Sequence, residues 1–201
     1  MIYSVQMVGV GGQGLLLASM VLGGAALSQG WDVAMSEVHG MAQRGGSVTS
    51  TVRIGEEVVS PLIPRGGADL LLGFEPVETY RALEYANETT HIVTNTHPII
   101  PITVSMGVDQ YPDVNLLLER MKLVNRKVLP VDATALAEKA GGIIAANSVM
   151  IGAAGAVEAF PISKGALVKE LLERVPLKSQ EMNRKAFQMG FEEVRGILEH
   201  L

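Results

Sequence analysis

Cysteine is absent from all 201 residues. Its absence excludes disulfides, thiolate nucleophiles and cysteine-held iron–sulfur clusters on this chain. It is also the usage expected of a cytoplasmic protein. Aromatic residues are scarce at 4%, although hydrophobic residues make up 48%. The core must therefore come from aliphatic side chains, alanine and the ten methionines. Positive charge is in deficit: 16 Lys and Arg stand against 21 Asp and Glu, a formal net charge of −5. No basic stripe is present, so a nucleic-acid partner is not expected. No run of like charge suggests a tail. Long apolar runs are missing too, since glycine, serine or glutamine interrupts them, and no transmembrane helix or membrane partner is expected. Met1 to Val8 has no basic leader and is too short for a signal peptide's apolar region. His39, His91, His97 and His200 show no metal-ligand spacing, and no H-E-x-x-H occurs.

What is present is an alternation of strands and helices followed by a helical C-terminal third. Ile2–Val8 reads as a buried strand running into glycines, and Gln13–Gln29 as a helix closed by Gly30. Trp31–Met35 reads as a second strand, and residues 37–46 as a long glycine-containing loop. Ser47–Ile54 alternates like a half-buried strand, and Glu57–Ile63 reads as its hairpin return. Strands follow at Asp69–Phe74, His91–Asn95, Ile99–Val104 and Lys127–Val131. Helices are expected from Pro76, from Pro112-Asp113 and after the candidate cap Asp132, and then over 148–160, 164–174 and 180–201. Such alternation implies an α/β, Rossmann-like three-layer domain with a mainly parallel sheet, an antiparallel hairpin and a helical C-terminal third. No linker divides the chain, so residues 1–201 are read as a single domain.

Two segments carry the functional signal. Gly9, Gly11 and Gly14 satisfy G-x-G-x-x-G, between a strand and a helix, with Gly12 and Gln13 in variable places. That spacing serves a tight turn, close approach to bare backbone, and a helix N-terminus facing an anion. Three readings stay open: plain strand–helix packing, a phosphate-bearing ligand other than a dinucleotide, and a dinucleotide. A dinucleotide would need an acid ending the second strand. Asp32 lies at the wrong end, and Glu37 sits inside the next segment.

The second segment, from Glu37 to Val48, gathers Glu37, His39, Gly40, Gln43, Arg44, Gly45 and Gly46. Arg44 can clamp a carboxylate or phosphate because guanidinium is planar and bidentate. Glu37, His39, Gly40, Gln43, Gly45 and Gly46 are candidates for a partner-facing or active-site lip. The segment follows the second strand, so it should share the carboxyl edge of the sheet with the glycine turn. No complete catalytic constellation is present. His91 and His97 are expected to be structural. Asn147 is a candidate helix cap, and Asn183 is expected to be an exposed helical amide. The alanine- and glycine-rich helix from Ser148 should pack closely against another element, and it leaves room for a homodimer.

With these residues in view, the chain resembles the gamma-type subunits of 2-oxoacid:ferredoxin oxidoreductases. Among them it is most similar to the beta subunit of the indolepyruvate type. The resemblance rests on Gly9–Gly14 and Glu37–Val48, then on Ala68-Asp69-Leu70-Leu71, Glu75-Pro76, Asn95-Thr96, Val131–Thr134, Asn147–Gly152, Asn183 and Ala186-Phe187. It covers nearly the full length. It implies a small subunit without clusters, inactive alone, that supports conversion of a 2-oxoacid to an acyl-coenzyme A. Indolepyruvate is the leading substrate, with pyruvate, branched-chain oxoacids and 2-oxoglutarate as alternatives. A large alpha subunit would carry thiamine diphosphate and the iron–sulfur clusters, and ferredoxin would be reached through the complex. Coenzyme A would be the co-substrate, and helix-terminus physics, not the resemblance, points its phosphate end to the glycine turn and Arg44. A stand-alone dinucleotide-binding protein is the remaining alternative.

Overall fold

A computed structural model describes residues 1–40 and 46–200. Six strands among these residues form one sheet in the order β2-β3-β1-β4-β5-β6. They are β1 (Ile2–Val10), β2 (Asp32–His39), β3 (Ser47–Gly55), β4 (Leu70–Gly73), β5 (His91–Asn95) and β6 (Val128–Val131). β1, β4, β5 and β6 pair in parallel, whereas β3 is antiparallel to both β1 and β2. β4 and β5 are buried along their whole lengths, as central parallel strands must be. β3 alternates instead, with Val48, Ser50, Val52 and Ile54 buried.

Helices cover the two faces unequally. α1 (Leu15–Ser28), α5 (Ala133–Ala140), α6 (Ala146–Gly155), α7 (Lys164–Arg174) and α8 (Gln180–Leu198) pack on one face. There Val5, Met7, Leu70, Leu72, Val93 and Leu129 join the larger core. On the other face, α2 (Pro76–Arg81) and α4 (Val114–Val124) meet Val8, Leu71, Ile92 and Val128 in a smaller core. A short α3 (Ile102–Ser105) lies between β5 and α4. α6 and α8 cross where Gly152 faces the Phe187 backbone and Gly190 faces the Val149 backbone. Any side chain at either glycine would collide with main chain, so the small residues serve close packing as expected.

Four expectations are corrected. First, the antiparallel hairpin is β2–β3, not 47–63. Both edges of β3 are already occupied by β1 and β2, which leaves no edge for a strand over 57–63. That stretch is instead tied down by Arg53, whose Nη1 donates to the carbonyls of Ser60 (3.0 Å) and Leu62 (3.2 Å). The second strand also runs on to His39, so Glu37 is a strand residue. Second, Ile99–Val104 is no strand: both neighbours of β5 are taken, and Pro98 and Pro101 interrupt the donors. Third, α6 starts at Ala146, after a 3-10 turn over Ile143–Ala145, so Asn147 lies inside the helix and does not cap it. The helix also ends at Gly155, not at 160. Fourth, Asn183 is buried: its Oδ1 accepts from Ser148 Oγ (2.6 Å) and its Nδ2 donates to the Ser179 carbonyl (2.8 Å). Elsewhere Glu75, Asp113, Asp132 and Ser163 cap their helices through side-chain oxygens.

Candidate functional site

The chain leaves β1 toward α1 and returns on the other side of β1 through β4. That junction is a topological switch point, where open α/β sheets place their ligands. A cleft of about 610 Å³ opens there, bordered by Gly12, Gln13, Gly14, Phe74, Asn95 and His97 and closed by Ile143, Ile144, Asn147 and Met150. A second cleft of about 430 Å³ lies beside it, between α2 and the 97–112 segment. Ile99 borders both.

The glycine turn is built mainly by amides. Gln13 Oε1 accepts from the Val10 N–H (2.8 Å), and Gln13 Nε2 donates to the Phe74 carbonyl (2.7 Å). The side chain thus clips the ends of β1 and β4 together. Asn95 does the same one strand further on. Its Nδ2 donates to the Phe74 carbonyl (3.1 Å), and its Oδ1 accepts from the Ala133 (3.1 Å) and His97 (3.2 Å) N–H groups. A Cβ at Gly9 would lie 2.7 Å from Gln13 Oε1 and 2.9 Å from Phe74, so Gly9 makes room for the clip. Gly14 has φ +79° and starts α1 with no side-chain cap and no acid in the first turn. Asn147 packs against the place its Cβ would occupy. Gly12 has φ +101° and open space on its Cβ side.

The described ends of the Glu37–Val48 segment lie at the edge that carries this turn. β1 and β2 run the same way, so His39 and Val10 end at one edge of the sheet, level with Val48 and Ser47 of β3. The Gly11 N–H donates to the Gly46 carbonyl and the Gly40 N–H to the Ser47 carbonyl, each at 2.9 Å. Gln43, Arg44 and Gly45 lie outside the described residues. Glu37 sits near the end of β2, and Asp32 Oδ2 accepts from the Glu57 N–H (2.9 Å). β3 separates β2 from β1. A carboxylate ending β2 therefore stands two strand spacings, about 10 Å, from the turn, where an adjacent second strand would stand at about 5 Å. That displacement disfavours a ribose-holding role for Glu37.

Two buried carboxylates border the second cleft. Glu75 Oε2 accepts from the Glu78 N–H (3.0 Å). Glu75 Oε1 accepts from the Tyr111 hydroxyl and from the Ile99 N–H (3.4 Å). Glu78 accepts from Ser47 Oγ and from Arg81 Nη1, each at 2.7 Å. Burial first, then the Glu75 hydrogen bond and charge, holds the Tyr111 hydroxyl protonated far above the usual phenol range. Sequence reasoning missed the roles of Asn95, His97, Glu75 and Glu78. The one available signal was a polar residue ending an apolar strand, as at Phe74-Glu75 and Thr94-Asn95. Among the described residues, no group of three or more His, Asp or Glu could hold a metal ion.

The family model for pyruvate ferredoxin/flavodoxin oxidoreductases matches residues 4–193. The chain belongs to that family. Relatives agree: it is 40% identical over 200 residues to the indolepyruvate oxidoreductase subunit IorB of Thermococcus kodakarensis, covering 98% of each chain. It is 41% identical over 201 residues to the subunit of the same name from Pyrococcus horikoshii, again with 98% of each covered. Among solved structures, the gamma subunit of a keto/oxoacid ferredoxin oxidoreductase from Geobacter sulfurreducens superposes with a TM-score of 0.71 at 29% identity, over 96% of this chain and 99% of that one. In this oxidoreductase family the chain is a small subunit of a 2-oxoacid:ferredoxin oxidoreductase, and the expected Rossmann-like fold is the gamma-subunit fold.

Proposed function

We propose that this chain is the small subunit of an indolepyruvate or arylpyruvate:ferredoxin oxidoreductase. The observation that carries the reading is near-full-length identity of about 40% to two subunits named for indolepyruvate. The chain has no cysteine, so iron–sulfur clusters do not fit it and are assigned, with thiamine diphosphate, to a larger partner subunit. Those groups supply decarboxylation and electron transfer toward ferredoxin. This chain binds and orients. The phosphate end of coenzyme A is assigned to the open side of Gly12, the uncapped start of α1 and Arg44, because helix starts and guanidinium favour anions. The apolar lining at Ile143, Ile144 and Met150 suits the rest of the co-substrate. Ile143 and Ile144 border the cleft and stand exposed, as do Leu16 in the first turn of α1 and Ile102, Met106 and Val108 of the 97–112 segment. An apolar rim of that kind suits docking of the larger subunit over the cleft. Two tests apply. The tagged chain, recovered from an oxygen-free native extract, should bring down a brown partner with indolepyruvate- and coenzyme A-dependent dye reduction. Arg44→Ala in the assembled enzyme should raise the KM for coenzyme A, and an unchanged KM would remove the ligand role.

A second reading, docking only, has one observation in its favour. The Gly11 N–H and the Gln13 amide are already engaged by protein backbone. On that reading, Arg44→Glu would separate the subunits on size-exclusion chromatography instead of altering kinetics.

A further inference from the structure

The contacts of Glu75 and Glu78 reach further than capping α2. Both carboxylates are buried. A buried carboxylate needs donors on its oxygens, and it holds those donors in place because losing one leaves charge unsatisfied. Glu78 draws a donor from Ser47, the first residue of β3. The Gly40 N–H closes on Ser47, and Gly46 is bonded to Gly11 of the glycine turn. Glu75 draws its donors from Ile99 and Tyr111, near the two ends of the 97–112 segment. The two acids are joined through the Glu78 N–H (3.0 Å), and Arg81 balances the charge of Glu78. One acidic hub therefore touches both segments that frame the second cleft, and Ile99 and the Gly46–Gly11 bond carry those segments to the edge of the first.

We propose that Glu75 and Glu78 are positioning residues that hold the start of β3, at Gly46–Ser47, and the 97–112 segment in register with each other. The functional arm of this proposal rests on the assignment of coenzyme A to the cleft. Tyr111 is the decisive probe, because its hydroxyl donates to Glu75 yet lies far from Ser47 in sequence.

The experiment uses the full chain copurified with its larger subunit. Ser47→Ala and Tyr111→Phe each remove one hydroxyl and leave both acids in place. Hydrogen exchange, read by mass spectrometry, should rise about fivefold in both framing segments for either variant, the change expected for one lost hydrogen bond. Tyr111→Phe that speeds exchange only within 97–112 would overturn the coupling. In steady-state kinetics both variants should raise the KM for coenzyme A severalfold with kcat within twofold. Faster exchange in both segments with an unchanged KM would keep the hub and overturn the coenzyme A assignment. A fall in kcat alone would overturn the positioning role for the co-substrate. Glu78→Gln, which keeps one oxygen and the shape, should lie closer to the parent than Glu78→Ala in both readouts.

Discussion

The amide of Gln13 is the most directly testable element of the cleft. Gln13→Ala removes two hydrogen bonds, to the Val10 N–H at 2.8 Å and the Phe74 carbonyl at 2.7 Å. Each contributes about 1 kcal/mol net. The Phe74 carbonyl keeps the Asn95 Nδ2 donor at 3.1 Å, so the extra cost falls on the buried Val10 N–H. The sum is a loss of about 2–3 kcal/mol. At a urea m-value of about 2 kcal/mol per molar, the unfolding midpoint should fall by about 1 M. Gln13→Glu separates the two contacts. The introduced carboxylate still accepts from Val10 but sets an oxygen against the Phe74 carbonyl oxygen. It should be less stable than Gln13→Ala at pH 7. Protonation restores a donor to Phe74, so the folded state holds that proton more tightly than the unfolded chain does. The variant should therefore regain stability relative to the parent as pH falls toward about 4. Urea titrations by circular dichroism at both pH values decide the matter. A Gln13→Ala midpoint within about 0.2 M of the parent, or no acid recovery in Gln13→Glu, refutes the clip.

Other outcomes follow from the packing. Gly152→Ala or Gly190→Ala drives a methyl into the facing helix backbone and should cost about 3 kcal/mol or prevent folding, seen as a lowered Tm or loss of soluble protein. Asn183→Ala leaves the Ser148 hydroxyl and Ser179 carbonyl short of a partner and should cost about 2 kcal/mol. A double-mutant cycle with Ser148→Ala should show coupling; additive losses would deny a shared bond. Burial, with the charge of Lys127 second, lowers the pKa of His91 below its ordinary 6.5. The unfolded chain then takes up the proton first, so stability falls as pH drops below about 6.5 and levels off below the folded value. His91→Gln should flatten that slope in thermal melts, and an unchanged slope would exclude His91 as its source.

The β1–α1 unit was legible because Ile2–Val8 is a run of buried apolar residues ending in glycines, and because α1 carries no charge on any face. The cap at Asp132 was legible because an acid just before a helix start can accept from its free N–H groups. The placement of β3 was not. Its alternation shows one face buried but does not say which strand edges it fills, so the segment over 57–63 looked like a partner when no edge was free for it. Asn183 misled for a related reason. In a helix an amide reads as exposed, and only the crossing of α8 over α6 brings the Ser148 hydroxyl to it.

The sequence alone determined the α/β class, through strand–glycine–helix spacing and helix caps, and its motifs, Gly9–Gly14 and Glu37–Val48 foremost, carried the resemblance to the family. It also excluded cysteine-held clusters outright. The tertiary structure decided what each of those residues does. Gln13 and Asn95 became clips because β4 ends beside β1 and β5 beside β4. Insertion of β3 moved Glu37 about one strand spacing too far for a ribose. The carboxylates Glu75 and Glu78 came to join two distant segments. Such outcomes depend on which strand edges meet, and edge pairing is settled by long-range packing that local sequence does not encode.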